Sequence, residues 1–90
     1  MKPVFVDTWA WVALADQRDP WHLAAVATHR KSQCLLRYVT TDYVLSEAIT
    51  LLFRRCHFKA AKDFTTAVLD SCHAGKYQLV AIAPAQFSKA

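Results

Sequence analysis

The chain has 90 residues, of which 54% are hydrophobic, and eleven Lys and Arg against seven Asp and Glu give a formal net charge of +4. This apolar content excludes a disordered chain, and the length allows one domain with a small core, since such a chain buries only about 60% of its unfolded surface. We therefore expect a partner to cover part of the apolar surface, as in a homodimer or a higher homo-oligomer.

No apolar run of the sequence reaches the roughly eighteen residues that a membrane-spanning helix needs. The first apolar segment contains Asp7, and a charge there is atypical of a secretory signal peptide. Cys34, Cys56 and Cys72 are odd in number and form no Cys-x-x-Cys pair, which disfavours a disulfide framework. We therefore expect a protein of the reducing cytoplasm with no membrane partner.

The first third of the chain predicts one strand and two helices. Pro3 to Val6 is apolar without alternation, which predicts a strand covered on both faces, as in a parallel sheet. Thr8 to Ala15 has the composition of a helix, and Asp16 to Arg18 is a predicted loop. Asp19-Pro20 begins the second helix, because an acid at the N-cap accepts from free amides and proline at the first helical position loses no hydrogen bond. This helix extends to about Arg30.

The middle of the chain predicts a second strand and two long helices. The strand runs from Arg37 to Thr40, and the polar residues after it begin a helix from Tyr43 to Arg55. A further helix runs from Phe58 to Ala74 and ends at Gly75, the single glycine. Both helices carry apolar residues at helical spacing, which predicts one buried face on each.

The last predicted elements are a strand from Tyr77 to Ala83 and a helix that begins at Pro84. The order β-α-α-β-α-α-β-α predicts an α/β fold in which three parallel strands are joined by right-handed crossovers. Residues 1–90 then form a single domain. Its ligands are expected at the carboxyl ends of the strands, where successive loops meet.

The residue types present restrict the chemistry of such a site. A single glycine excludes the phosphate-binding loops of the Gly-x-Gly-x-x-Gly or P-loop kind, so nucleotide cofactors are disfavoured. No serine lies in a nucleophile-elbow context, so a hydrolase triad has no support. The candidates that remain are carboxylates.

Two acids are predicted to meet at the carboxyl edge of the sheet. Asp7 directly follows the first predicted strand, and Glu47 lies about one turn inside the helix that follows the second strand. Two convergent carboxylates stay ionised together when a cation lies between them, and oxygen ligands favour Mg²⁺ or Mn²⁺ over zinc. The alternatives are that Asp7 is only a helix cap, and that Glu47 is a rim residue with its carboxylate in water.

Three segments carry a resemblance to a known family: VFVDTWAWVAL from Val4, DQRDPWHLA from Asp16 and TTDYVLSEA from Thr40. In this order and spacing they resemble the PIN-domain ribonucleases, in particular the VapC-like toxins of prokaryotic toxin-antitoxin pairs, over Val4 to about Phe87. The resemblance implies a three-layer α/β/α sandwich with a parallel sheet. It also implies an endoribonuclease that hydrolyses RNA phosphodiesters with Mg²⁺ or Mn²⁺ and is inhibited by a cognate antitoxin.

On this resemblance Asp7 corresponds to the first metal-site acid and Glu47 to the second, and Thr8 matches the small hydroxyl residue beside the first. Family members carry further acids and strands beyond the third strand, whereas this sequence ends at Ala90 before them. We therefore expect an incomplete PIN-like domain with half of the family's acidic site, whose activity as a 90-residue chain stays open. The alternative is a non-catalytic PIN-like interaction module that self-associates.

Cationic and aromatic residues have two interpretations each. The cations near the junction of the two long helices are candidates for contact with RNA or with an acidic antitoxin segment, or else a solvated basic surface: Arg54, Arg55, Lys59 and Lys62. Trp9, Trp11 and Trp21 are expected to be packing residues rather than platforms for RNA bases. His22 and His29 are not expected to act as catalytic bases, because metal-dependent hydrolysis does not require one.

Overall fold

A computed structural model describes residues 2–32 and 35–82. Its elements are β1 (Lys2–Phe5), α1 (Thr8–Ala15), α2 (His22–Ser32), β2 (Leu36–Thr41), α3 (Asp42–Arg55), α4 (Phe58–His73) and β3 (Tyr77–Val80). The predicted end of the third strand at Ala83, the helix predicted at Pro84 and Cys34 lie outside the described residues. In residues 2–32 and 35–82 no helix is long and apolar enough to cross a membrane.

The three strands form one parallel sheet in the order β1-β2-β3. Phe5 of β1 is the register partner of Val39, and Tyr38 of β2 is the register partner of Tyr77 in β3. The prediction of an α/β fold with a parallel sheet is therefore confirmed. The three-layer sandwich stays a prediction.

The prediction that the first strand is covered on both faces is wrong. Lys2, Pro3 and Phe5 are exposed, and Phe5 retains 58% of its accessible surface. In the described sheet β1 pairs only with β2, and the strand borders an open apolar groove on the side of α2. Hydropathy alone indicated a buried strand, but burial depends on which elements cover it.

The centre of the core is Trp11, which has no accessible surface. Its ring meets those of Tyr38, Phe64 and Tyr77 at centroid distances of 6.1, 6.2 and 5.7 Å. These rings come from β2, α4 and β3, so one side chain of α1 joins the sheet to the helices. Burial raises the pKa of the Tyr77 phenol, and the neighbouring Tyr38 and Cys72 contribute to the same direction.

The other two tryptophans do not share this role. Trp9 is 60% exposed and Trp21 is 73% exposed, so the expectation that all three are packing residues is wrong for both. An eight-residue helix that packs one face against a core leaves residues two positions apart on different faces. For this reason Trp9 and Trp11 differ completely in burial although both lie in α1.

The start of α3 and the end of α4 follow the local sequence, whereas the start of α2 does not. Thr41 accepts a hydrogen bond from the Val44 amide at the start of α3, and Gly75 adopts a φ of +80° just after α4. The second helix begins at His22 rather than at Pro20. The Asp19 carboxylate accepts from the Trp21 amide in a turn that precedes the helix instead of capping its first turn.

A buried chain of hydrogen bonds anchors α1 on the sheet. The Trp11 indole Nε1 donates to Thr40 Oγ1 at 3.2 Å, and Thr40 Oγ1 donates to the Val6 carbonyl at 3.1 Å. Thr40 is fully buried, so its hydroxyl satisfies two polar groups that have no access to water.

Thr40→Val is therefore expected to lower the free energy of unfolding by about 1–3 kcal/mol, because it leaves a buried indole N–H without an acceptor at nearly constant volume. Urea unfolding followed by tryptophan fluorescence measures the change. Thr50→Val is the matched control, since Thr50 is exposed on α3 and its hydroxyl donates to the Ser46 carbonyl of the same helix. Equal losses for both variants would contradict the assigned role of Thr40.

Candidate functional site

Asp7 lies at the carboxyl end of β1 and caps α1. The amide of Val6 still donates to the Val39 carbonyl at 2.8 Å, so Asp7 is the residue that leaves the sheet. Its Oδ1 accepts from the Ala10 amide at 2.8 Å while the residue remains exposed. Asp7 therefore caps α1, and within residues 2–32 and 35–82 the cap uses one of its two carboxylate oxygens.

Glu47 is joined to the same place by Thr8. The Thr8 hydroxyl donates to Glu47 Oε1 at 2.7 Å, although the two residues are 39 positions apart. Thr8 is only 6% exposed, whereas Glu47 is exposed on the second turn of α3. Thr8 follows Asp7 in the chain and is hydrogen-bonded to Glu47. The two predicted acids therefore lie close to each other at the carboxyl edge of the sheet.

Thr8 does not cap α1. Asp7 makes the cap, and Thr8 is the first helical residue. Its hydroxyl is therefore available to hold Glu47 instead of a backbone amide. The sequence offers no signal for this bond, since neither helical nor strand spacing relates residues so far apart.

The donor set suits an ion that needs few protein ligands. Asp7 and Glu47 each give one oxygen to the hydrogen bonds above, which leaves the second oxygen of each for a cation. In the part of the chain that the structure describes, no three His, Cys, Asp or Glu residues form a group that could hold a metal ion. Mg²⁺ commonly binds through one or two carboxylates, with water and substrate phosphates as its other ligands, and two acids fit that pattern.

Cations lie at the other end of α3. The predicted contact residues are Arg54 and Arg55 in the last turn of α3 and Lys59 and Lys62 in the first turns of α4, and all four are exposed. Lys59 is paired with Asp63, with Nζ and Oδ2 3.8 Å apart. The structure therefore groups the four predicted cations around one helix junction.

Sequence reasoning missed two partners of Arg55. The Arg55 guanidinium lies 5.4 Å from the centroid of the Trp9 ring, and the Arg18 guanidinium donates to the Arg55 carbonyl. Arg18 was placed only in a loop, and Trp9 was assigned to packing. A basic residue just after a short helix was the available signal for Arg18, but nothing in the sequence indicated its partner.

A cavity of about 480 Å³ opens where this loop meets the α3–α4 connection, and its lining includes Asp16, Arg18, Arg55, Cys56 and His57. Burial raises the pKa of the Cys56 thiol, and the Asp16 carboxylate adds to this, while Arg18 and Arg55 act in the opposite direction. The raised pKa favours the neutral thiol of Cys56 over the thiolate.

The two histidines considered as bases have structural partners. His22 Nδ1 lies 2.8 Å from the Ala13 carbonyl, which links α2 to the end of α1. His29 Nδ1 lies 3.0 Å from the Tyr38 hydroxyl, and the two rings also stack at a tilt. These contacts assign both residues to the packing of α2.

Comparison of the chain with protein-family models, with curated proteins and with solved structures found no match. The resemblance to PIN-domain ribonucleases therefore depends on the three sequence segments. The parallel α/β arrangement agrees with it at the level of fold class.

The two roles of Asp7 can be separated by substitution. Asp7→Ala is expected to lower the free energy of unfolding by about 1 kcal/mol, because the Ala10 amide loses its cap, whereas Asp7→Asn keeps an acceptor and loses only a few tenths. Chemical denaturation of both variants measures the difference. Equal stabilities of the two variants would contradict the cap.

Proposed function

We propose that the chain is a PIN-like domain of the VapC toxin type and acts as a Mg²⁺- or Mn²⁺-dependent endoribonuclease. The observation that carries the proposal is the Thr8–Glu47 hydrogen bond, which holds the Glu47 carboxylate of α3 against the residue that directly follows Asp7. It adds to the three sequence segments that resemble the family. A cognate antitoxin is the proposed inhibitory partner, and the cytoplasm is the proposed location.

In the proposed site, the two carboxylates hold the ion and the cations hold the RNA backbone. Asp7 is fixed by its bond to the Ala10 amide, and Glu47 is fixed by the buried Thr8 hydroxyl, so both carboxylates present an oxygen without further ordering. The ion they would bind supplies neutralisation of charge on the phosphodiester and a more acidic water. The cations at the α3–α4 junction are the groups proposed to hold the RNA backbone.

Manganese binding and RNA cleavage test the proposal together. We expect the wild type to bind Mn²⁺ and to cleave single-stranded RNA only with Mg²⁺ or Mn²⁺. In Asp7→Asn and Glu47→Gln we expect the affinity for Mn²⁺ and the rate of cleavage each to fall by about tenfold or more. Both variants keep the acceptor oxygen of the native hydrogen bond. Calorimetry measures binding, and gel analysis of a labelled RNA measures cleavage.

Asp70→Asn is the matched control, because Asp70 is an exposed carboxylate on α4. It should bind Mn²⁺ and cleave as wild type does. Cleavage that persists without metal, or a wild type that neither binds nor cleaves, would remove the nuclease proposal for this chain.

A specific surface favours the second candidate, a non-catalytic module that self-associates. A groove of about 340 Å³ lies between β1 and α2 and is lined mainly by apolar side chains, among them Phe5, Leu14 and Trp21. Phe5 and Trp21 are both more than half exposed. Together with the unpaired edge of β1 in the described sheet, this surface is suited to a second copy of the chain.

Trp21→Ser is expected to shift the protein from dimer to monomer, because it removes the largest exposed apolar side chain of the groove. Sedimentation velocity over a range of concentrations measures the change. Phe58→Ser is the control, since Phe58 is 69% exposed on α4 away from the groove. A wild type that is monomeric at every concentration would eliminate this candidate.

A further inference from the structure

The cavity at the α3–α4 corner has a positive environment. It is lined by Arg18, Arg55 and His57 and contains one carboxylate, Asp16, which is 5% exposed. Asp16 faces Arg18 at 3.6 Å, between Oδ1 and Nε. In the described residues the ion pairs are this one and Lys59–Asp63, so Arg55, which also lines the cavity, has no carboxylate partner among them.

This cavity is connected to the acids along the seam between α1 and α3. Thr8 contacts Glu47 at one end of the seam, and Val12 packs with Leu52 further along it. The two helices therefore run side by side in the same direction. Arg55 lies eight positions beyond Glu47, which is about 12 Å along the axis of α3.

An exposed aromatic ring lies between the two ends. Trp9 is two positions beyond Asp7 and 60% exposed, and the Arg55 guanidinium lies over its ring. An exposed indole with a guanidinium over its ring offers a nucleic-acid base a stacking partner, because bases stack on aromatic rings and on guanidinium planes. The side chains of Asp and Glu carry no aromatic ring that could stack on the indole, so the arrangement favours RNA over an acidic peptide.

We propose that the cavity lined by Arg18, Arg55 and His57 binds a backbone phosphate of single-stranded RNA, with a neighbouring base stacked on the Trp9–Arg55 surface. The inference rests on the proposed function, because it takes the Asp7–Glu47 end of the seam as the position of the cleaved bond. The RNA strand then follows the seam between α1 and α3. The position of the cavity sets the distance between the bound phosphate and the phosphodiester that is cleaved.

Binding of a fluorescein-labelled oligouridine in EDTA tests this assignment without cleavage. Fluorescence anisotropy over a range of salt concentrations gives both the Kd and its salt dependence. For Arg18→Gln and Arg55→Gln we expect weaker binding and a loss of about 0.7 from the slope of log K against log salt, because one phosphate contact is lost in each. Trp9→Ala should weaken binding about fivefold or more with an unchanged slope.

Lys76→Gln is the control, since Lys76 is an exposed cation of the turn before β3, and it should change neither quantity. Urea unfolding verifies that each variant is folded under the assay conditions. A slope that stays at the wild-type value in both arginine variants would overturn the inference, as would arginine variants that lose binding of polyglutamate but retain binding of the oligouridine.

The same proteins with Mn²⁺ separate this inference from the proposed function. If wild type cleaves RNA and the arginine variants bind as wild type does, the inference fails while the nuclease proposal stands. If wild type does not cleave but the salt slope falls as expected, the RNA-binding surface stands and the nuclease proposal fails.

Discussion

The rest of the structure depends on the buried hydrogen bond between the Trp11 indole and the Thr40 hydroxyl. Trp11 brings an indole N–H into a core from which water is excluded, and that donor needs an acceptor. Thr40 Oγ1, near the end of β2, accepts this hydrogen bond and donates a second one to the Val6 carbonyl. Helix α1 is thereby fixed in position and in rotation against the carboxyl ends of β1 and β2.

The geometry of the candidate site follows from that anchor. With Trp11 turned inward, Thr8 is one helical turn earlier on the same side of α1 and is buried against α3, where its hydroxyl meets Glu47. Trp9 is turned outward by the same rotation and meets Arg55. One core contact thus determines which side chains of α1 serve the fold and which are left for a ligand.

Much of this arrangement could be predicted from local sequence. The bounds of α1, the end of α4 at Gly75 and the parallel sheet follow from composition, capping and element order. The convergence of Asp7 and Glu47 follows from parallel topology. The Thr8–Glu47 bond and the exposure of Trp9, Trp21 and β1 could not be predicted, because they depend on how each helix is rotated and on which neighbours cover each surface.

In the proposed site, Asp7 and Glu47 together hold one cation at the carboxyl edge of the sheet. Paramagnetic broadening by substoichiometric Mn²⁺ in amide NMR spectra tests it most directly, because the broadening identifies where the ion binds. We expect the amide signals of Asp7, Thr8 and Glu47 to broaden first. Broadening that begins elsewhere, for example around Asp63 and Asp70 of α4, or that affects all signals equally, would contradict it.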